Sequence, residues 1–259
     1  MNSWIELLLA LLQGLTEPLP ISSSGHLVVA QAWLGVGVPS LAFESFVNLG
    51  SVLGVIAYYR IFIVDLLKDA FKGLKTRSNN ESMSYILQVA LASIPAGLIG
   101  LLFADQIGTL SSVRFVGAML LITGLLLLVV SRKTTNSNQN VTWFDSLLIG
   151  LSQAVALIPG LSRSGLTTIA GLFRGIEFDQ ALQFSLMMYI PISLAAGGWS
   201  VLQATDAFTP SLSSIGSLFV AAASTYFVIG VYRRLVAQRR LIWFAGYCLL
   251  AGLLVLVIG

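Results

Sequence analysis

Long apolar runs separated by short polar connections dominate the pattern of this chain. A helix that crosses a bilayer needs about 20 consecutive apolar residues. Stretches that meet this requirement predict six transmembrane spans, at residues 43–63, 84–104, 113–131, 180–202, 212–231 and 241–258. The pattern therefore predicts an all-α integral membrane protein.

Two further apolar segments are too short to cross a bilayer. Residues 4–19 run into Pro-Leu-Pro-Ile-Ser-Ser-Ser-Gly, residues 141–158 run into Pro-Gly-Leu-Ser-Arg-Ser-Gly, and short apolar runs follow at 27–38 and 166–173. Two half-length helices joined by Pro, Gly and Ser predict a re-entrant hairpin. Non-helical backbone at membrane depth is tolerated only where protein or a wet cavity satisfies its polar groups. We call segments 17–26 and 159–167 the first and second tips.

The two hairpin regions repeat each other. Shifting the sequence by 140 residues aligns Gln13 with Gln153 and Ser22-x-Ser24-Gly25 with Ser162-x-Ser164-Gly165, without a gap. This predicts one membrane domain over 1–259, built from repeat 1 (about 1–135) and repeat 2 (about 141–259), with about ten helices. Because each repeat has three spans, the second hairpin enters from the opposite face. The tips then meet near the midplane as an inverted repeat, an arrangement found in many transporters.

Composition and charge exclude a water-soluble protein and give an orientation. The chain is 56% hydrophobic and 10% charged, with a mean hydropathy of +0.89, whereas soluble domains carry roughly 25% charged residues. Of the 14 Lys and Arg residues, only Arg114 falls on the side of the N-terminus and Arg163 falls at a tip. The positive-inside rule then predicts cytoplasmic basic loops and two outer termini, in a multi-pass plasma-membrane protein. The basic loops are interpreted as topology signals and headgroup contacts, not as nucleic-acid sites.

Charged residues at the tips are the candidates for chemistry. Glu17, His26 and Arg163 are predicted at membrane depth, where an ionised group costs at least about 2.5–3.5 kcal/mol. Each returning helix begins at a tip with unpaired N–H groups, so two helix N-termini converge on a Ser/Gly-rich loop. Such a place binds anions, and phosphate is the natural occupant. Arg163 adds a guanidinium suited to phosphate oxygens.

The carboxylate of Glu17 would repel a phosphate unless it holds a metal ion or acts as a base. Mg²⁺ typically takes one or two carboxylates together with substrate phosphates, and Gln13 lies four residues away on the same helix face. Ser23 and His26 supply a nucleophile and a proton carrier. Alternatively, Glu17 caps a helix or pairs with Arg163, and the serines only cap helices. We interpret the set as a site for metal-assisted hydrolysis of a phosphate-bearing membrane substrate.

Three motifs carry a family resemblance. Residues 13–26 read Gln-Gly-Leu-Thr-Glu-Pro-Leu-Pro-Ile-Ser-Ser-Ser-Gly-His, residues 159–167 read Pro-Gly-Leu-Ser-Arg-Ser-Gly-Leu-Thr, and residues 43–51 read Phe-Glu-Ser-Phe-Val-Asn-Leu-Gly-Ser. In this order they resemble the undecaprenyl-diphosphate phosphatases of the bacitracin-resistance type, over nearly the whole chain. The resemblance implies hydrolysis of undecaprenyl diphosphate to undecaprenyl phosphate and inorganic phosphate. This recycles the lipid carrier of peptidoglycan and related polymers, with a divalent metal, Mg²⁺ or Ca²⁺, and a site toward the outer face.

The resemblance also implies roles for individual residues. Glu17 would be the metal-binding or basic carboxylate with Gln13 beside it, Ser23 and His26 would be the catalytic pair with the nucleophile undecided, and Arg163 would clamp the diphosphate. Glu44 is a weaker candidate. The expected substrate contacts are Ser22, Ser24, Gly25, Ser162, Ser164, Gly165 and Thr167. The sequence departs from the family pattern at Pro18, Leu166 and Asn48. None of these departures removes a polar catalytic residue.

Two other function classes use the same features. Opposed hairpins also suit a lipid-phosphate transporter or flippase, and converging helix N-termini suit an anion channel. Only an enzyme releases inorganic phosphate, so that product discriminates between them. The expected partners are a polyprenyl diphosphate lipid and the surrounding membrane lipids. The sequence implies no nucleic-acid partner and leaves oligomer formation open.

Overall fold

The computed structural model describes residues 2–36, 41–76, 80–132, 140–203, 211–237 and 241–258. These ranges contain α-helices and no β-strand. The helices are α1 Ser3–Thr16, α2 Ser23–Trp33, α3 Leu41–Tyr58, α4 Arg60–Thr76, α5 Glu81–Gly108, α6 Val113–Ser131, α7 Trp143–Val155, α8 Arg163–Phe173, α9 Phe178–Gln203, α10 Leu212–Ala237 and α11 Leu241–Ile258.

The long apolar helices confirm the expected membrane architecture. Five of them (α5, α6, α9, α10 and α11) are long and apolar enough to cross a bilayer, and α3 with α4 forms a bent sixth candidate. The prediction of a single straight span over 43–63 was wrong, because α3 ends at Tyr58 and α4 departs at 74°. The physical reason is charge, since lysines and aspartates recur along α4 and would be costly in hydrocarbon. The expectation of about ten helices therefore becomes eleven in the described ranges.

Serine caps set the start of each returning half-helix. The Ser22 hydroxyl accepts from Gly25 N at 3.2 Å and the Ser162 hydroxyl accepts from Gly165 N at 3.1 Å. Each cap satisfies one of the N–H groups that a helix start leaves unpaired. Helices α2 and α8 therefore begin within the tips, before the apolar runs that start at 27 and 166.

Helix packing interlocks the two halves of the chain. The first hairpin helix, α1, packs against α10, and α7 packs against α5. These two contacts are equivalent under the 140-residue shift. In each of them, the first helix of a hairpin lies against the second long helix of the other half of the chain. Other contacts across the halves join equivalent helices, α3 with α9 and α6 with α11, and a further related pair joins α3 with α10 and α5 with α9. The first helices of the two hairpins are thus held in place by opposite halves, while the repeat boundaries stay a prediction.

Close helix contacts depend on glycine. Gly150 on α7 faces Ala92 on α5, and a Cβ at this position would lie 2.4 Å from the Ala92 carbonyl oxygen. Ala92 is fully buried, and its backbone cannot turn aside as a side chain can. Small residues that allow backbones to approach are typical of helix interfaces in membranes.

We expect Gly150→Ala to destabilise the protein by about 1–3 kcal/mol, because the added methyl group overpacks the α5–α7 contact. The measurement is the free energy of unfolding in mixed micelles. Gly246→Ala on α11 is the control, since a Cβ there meets nothing within 4 Å. Equal stability of the two variants would contradict the close packing of α7 on α5.

Candidate functional site

The tips of the two hairpins meet, as the sequence predicted. The Ser164 hydroxyl donates to the Leu19 carbonyl oxygen at 2.8 Å, and the Ser162 hydroxyl approaches the same oxygen at 3.4 Å. Next to this contact, the guanidinium of Arg163 forms an ion pair with Glu17. The Glu17 side chain is 7% exposed and the Arg163 side chain 23% exposed, so the pair is largely withdrawn from the surface.

Unusual backbone conformations shape both tips. Ser22 has φ +68°, the only positive φ of a non-glycine residue in the described part of the chain. Such a conformation costs on the order of 1–3 kcal/mol and is typical of functional sites. In the second tip Gly160 has φ +91°, and a Cβ there would lie 2.9 Å from the Val116 carbonyl oxygen. Ser22 directly precedes Ser23, the first residue of α2.

Three side chains hold the Glu17 carboxylate. Oε1 accepts from Arg163, while Oε2 accepts from the Ser23 hydroxyl and from Gln13 Nε2, the latter at 2.8 Å. The expected grouping of Gln13, Glu17, Ser23 and Arg163 is thus present in the structure. A hydroxyl whose proton points at a buried carboxylate is the arrangement that activates a serine as a nucleophile.

Helix α9 supports the Arg163 guanidinium. The guanidinium carbon lies 4.0 Å from the centroid of the Tyr189 ring, a cation–π contact, and Nη1 donates to Ser193 Oγ at 3.2 Å. The sequence analysis missed both residues. Their signal was a Tyr and a Ser one turn apart around Pro191 in an apolar helix, where polar groups need partners.

Asn48 closes a ring of contacts around the ion pair. The Tyr189 hydroxyl donates to Asn48 Oδ1 at 2.6 Å, and Gln13 Nε2 approaches the same oxygen at 3.4 Å. Contacts therefore run from Gln13 through Asn48, Tyr189, Arg163 and Glu17 back to Gln13. The ring joins helices α1, α3, α8 and α9 with Glu17, the residue directly after α1. Asn48 is one of the positions at which the sequence departs from the family pattern, and its amide oxygen faces two donors.

His26 faces away from the ion pair. Its Nδ1 lies 2.7 Å from the Ser22 carbonyl oxygen and its Nε2 lies 2.6 Å from the Tyr247 hydroxyl. Because a carbonyl can only accept, Nδ1 carries the proton and Nε2 accepts from Tyr247. The structure therefore brings Ser23 to Glu17 but does not place His26 there. Tyr247 was also missed, since nothing local marks one tyrosine of α11 as a partner for His26.

A cavity of about 570 Å³ opens onto the ion pair. Its polar lining includes Gln13, Glu17, Ser23, Arg163, Glu44 and Asn48. Its apolar lining includes Leu27, Val28, Val36, Val113, Leu157 and Leu161. The cavity is therefore amphiphilic, which suits a ligand with a charged head and a hydrocarbon chain.

The expected substrate contacts divide into two groups. Ser24, Ser162 and Ser164 line the cavity. Ser22 and Gly25, which do not line the cavity, form the cap of α2, and Gly165 is capped by Ser162 at the start of α8. Thr167 is fully buried, donates to the Arg163 carbonyl oxygen at 2.8 Å and contacts Ser185. Hence Ser22, Gly25, Gly165 and Thr167 act on the shape of the site.

The oxygen ligands in the cavity are hard donors. Glu44 Oε1 accepts from Gln31 Nε2 at 3.2 Å, and both residues line the cavity with Glu17 and Gln13. Carboxylate and amide oxygens suit Mg²⁺ or Ca²⁺. The described residues contain no group of three or more His, Cys, Asp or Glu that could hold a metal. The oxygen donors are thus of the kind that a divalent cation prefers, but too few for the protein alone to complete its coordination.

Comparisons with known proteins cover nearly the whole chain. The sequence profile of the family "Bacitracin resistance protein BacA" matches residues 6–254. The protein named undecaprenyl-diphosphatase 1 of Bacillus licheniformis is 39% identical over 265 residues, covering 97% of this chain and 96% of the relative. Undecaprenyl-diphosphatase 1 of Bacillus cereus is also 39% identical, with the same coverage. An undecaprenyl-diphosphatase of Oceanobacillus iheyensis is 34% identical, covering 96% of this chain and 94% of the relative. Both tips lie inside the matched region, so the resemblance drawn from the motifs is confirmed.

We expect Glu17 and Arg163 to be strongly coupled in stability. Glu17→Gln or Arg163→Gln alone leaves a partly buried charge without its partner, whereas the double variant removes both charges. The sum of the stability losses of the two single variants should therefore exceed the stability loss of the double variant by about 1–3 kcal/mol. Stability is measured as the free energy of unfolding in mixed micelles.

The exposed pair Lys72–Asp69, at 3.2 Å, is the control. Its side chains are 75% and 55% exposed, so the same cycle with Lys72→Gln and Asp69→Asn should give a coupling below about 1 kcal/mol. Additive losses at Glu17 and Arg163 would contradict a stabilising ion pair between the tips.

Proposed function

Because this chain belongs to the bacitracin resistance protein BacA family, we propose that it hydrolyses undecaprenyl diphosphate to undecaprenyl phosphate and inorganic phosphate. The observation that carries the proposal is the Ser23 hydroxyl, which donates to Glu17 next to the Arg163 guanidinium in an amphiphilic cavity. The product returns the lipid carrier to the synthesis of peptidoglycan and other cell-wall polymers. The family description also names bacitracin resistance, so we infer that the chain contributes to antibiotic resistance.

In this proposal Arg163 exchanges partners when substrate enters. The guanidinium leaves Glu17 and pairs with the diphosphate, because the diphosphate carries more negative charge and its oxygens match the fork of the guanidinium. Tyr189 and Ser193 hold the guanidinium from the opposite side and keep it at the cavity. Ser24, Ser162 and Ser164 offer hydroxyls to the phosphates, and the apolar walls receive the first part of the isoprenoid chain.

Ser23 is the nucleophile that the geometry favours. Its oxygen attacks the terminal phosphorus while its proton passes to Glu17, and the bond between the terminal phosphorus and the bridging oxygen breaks. Undecaprenyl phosphate leaves and the phosphoryl group remains on Ser23. Glu17 passes the proton it took from Ser23 to the departing undecaprenyl phosphate and is ionised again. Water then attacks the phosphorus and gives a proton to Glu17, which returns it to the Ser23 oxygen as the bond to Ser23 breaks and inorganic phosphate is released. Arg163 neutralises the phosphate oxygens in both steps.

His26 acts as a positioning residue in this scheme. Both ring nitrogens are engaged, one with the backbone of Ser22 and one with Tyr247. The ring therefore fixes the first turn of α2, on which Ser23 lies, to α11. A nucleophile displaced by about 1 Å can lose about 10²-fold in rate.

A divalent cation, Mg²⁺ or Ca²⁺, would be held by Glu17 and Gln13 with Glu44 as a further ligand. When bound, it would supply positive charge that offsets the charge of the diphosphate. The hard oxygen donors that line the cavity support this choice.

The cavity faces outward in the orientation that we propose. Ser111 and Val113, just before and at the start of α6, line the cavity. The order of the spans assigns the start of α6 to the side of the chain's N-terminus and the basic residues outside the tips, other than Arg114, to the opposite side, which the positive-inside rule makes cytoplasmic. We therefore place both termini outside and the diphosphate of the substrate in the outer leaflet.

A transporter or flippase is the second candidate, favoured by the opposed hairpins that meet at their tips. It would use the same Arg163 to hold a lipid phosphate. It does not require a serine hydroxyl directed at a carboxylate, and it releases no inorganic phosphate.

We expect the protein purified in detergent to release inorganic phosphate from undecaprenyl or farnesyl diphosphate when Mg²⁺ or Ca²⁺ is added. A chelator should stop the reaction, and Glu17→Ala or Arg163→Ala should lower the rate by at least about 10²–10³-fold, because each removes a charge aimed at the reacting groups. Arg60→Ala, at the exposed start of α4, is the control and should retain the wild-type rate. Folded protein that releases no phosphate from either lipid with either metal would overturn the phosphatase proposal in favour of the transporter.

Substitutions of Ser23 and of His26 should lower the activity by different amounts. Ser23→Ala removes the nucleophile and should cost about 10³-fold or more in kcat, whereas His26→Ala loses only a support and should cost about 10²-fold. Tyr247→Phe should lower kcat less than His26→Ala does, because it removes only one of the two hydrogen bonds of the His26 ring. A larger loss with His26→Ala than with Ser23→Ala would reverse the assignment of the nucleophile.

A further inference from the structure

Helix α4 does not continue the direction of α3. The two helices are bent by 74° at Tyr59. Membrane-spanning helices tilt on average about 20° from the bilayer normal, so if α3 crosses the membrane, α4 lies much closer to the membrane plane than to the normal. Residues Glu44 and Asn48 near the start of α3 line the cavity, whereas α4 follows the other end of α3.

The surface of α4 divides into a protein face and an exposed apolar face. Ala70 and Gly73 are buried, and α4 packs against α5. A strip of large apolar side chains on the neighbouring face is exposed instead: Val64 46%, Leu67 55%, Phe71 58% and Leu74 65%. At 100° per residue these four positions fall within one narrow stripe, as in an amphipathic helix.

Three lysines border this apolar stripe. At the same helical spacing Lys68, Lys72 and Lys75 fall beside it, and Asp65 and Asp69 fall farther round toward the polar face. Lys75 Nζ lies 4.8 Å from the centroid of the Phe71 ring, which places this ammonium at the edge of the stripe. Lys72 contacts Asp69 at 3.2 Å, but both side chains are exposed and such pairs contribute little.

We propose that α4 lies in the headgroup region of the cytoplasmic leaflet and that Lys68, Lys72 and Lys75 bind the phosphates of anionic phospholipids. An apolar stripe flanked by lysines is the pattern of interfacial helices, whose apolar face enters the boundary between headgroups and acyl chains. The long lysine side chains reach the phosphates while their methylene groups stay on the apolar side. A second copy of the chain fits this face less well, because a two-fold contact would bring the same lysines toward each other.

Depth measurements on the full-length protein in phosphatidylglycerol/phosphatidylcholine vesicles test the position of α4. A spin label is attached to Val64→Cys or to Leu74→Cys, with the native Cys248 left in place because it is fully buried. We expect both labels at the same shallow depth and in contact with lipid. A helix that crossed the membrane would place these sites about 15 Å apart along the normal, and that result would overturn the proposal.

Native mass spectrometry in detergent, with added phosphatidylglycerol, tests the ligand. The triple variant Lys68→Gln/Lys72→Gln/Lys75→Gln should bind phosphatidylglycerol at least about tenfold more weakly than wild type, since each lysine contributes roughly fivefold near an anionic surface. Asp65→Asn/Asp69→Asn is the matched control and should bind at least as well as wild type. Equal binding by the triple variant would contradict the proposal, as would a dimer in vesicles that shields the Leu74→Cys label from lipid.

Discussion

A partly buried ion pair between Glu17 and Arg163 is the interaction on which the site depends. An ionised side chain within an apolar helical protein is costly unless it has a partner, and each of these residues provides that partner for the other. Because the two residues belong to different hairpins, pairing them brings the tips together. The same pairing leaves Glu17 Oε2 to Ser23 and points the guanidinium at the cavity. In the mechanism that we propose, pairing and catalysis use the same carboxylate, and a phosphate that draws Arg163 away leaves Glu17 to accept the proton of Ser23.

The two hairpins share an architecture but not a chemistry. The residue equivalent to Glu17 under the 140-residue shift is Leu157, and the equivalent of Ser23 is Arg163. The first hairpin therefore supplies the carboxylate and hydroxyl, and the second supplies the cation. Gln13 binds Glu17, whereas the fully buried amide of its equivalent, Gln153, has no hydrogen-bond partner within the described protein. One site made by both tips, rather than two symmetric sites, follows from this divergence.

The sequence predicted what depends on local pattern. Hydropathy located α6 to the residue, because polar segments flank that run. The tip motifs singled out Glu17, Ser23 and Arg163, which the structure brings together. It failed at the end of α3, where Ile61, Phe62 and Ile63 extend the apolar run although they belong to an amphipathic helix. The stacking of Tyr189 on Arg163 and the bond of Tyr247 to His26 depend on packing between helices far apart in sequence. No local pattern encodes such contacts.

The most direct test of this account is an experimental structure with an isoprenyl methylenediphosphonate, in which a CH₂ group replaces the bridging oxygen and prevents hydrolysis. We predict that the Arg163 guanidinium binds the diphosphonate instead of Glu17, while Glu17 keeps its contact with Ser23. The Ser23 oxygen should face the terminal phosphorus in line with the P–C bond. An intact Glu17–Arg163 pair with the diphosphonate bound elsewhere, or a terminal phosphorus placed at His26 rather than Ser23, would contradict it.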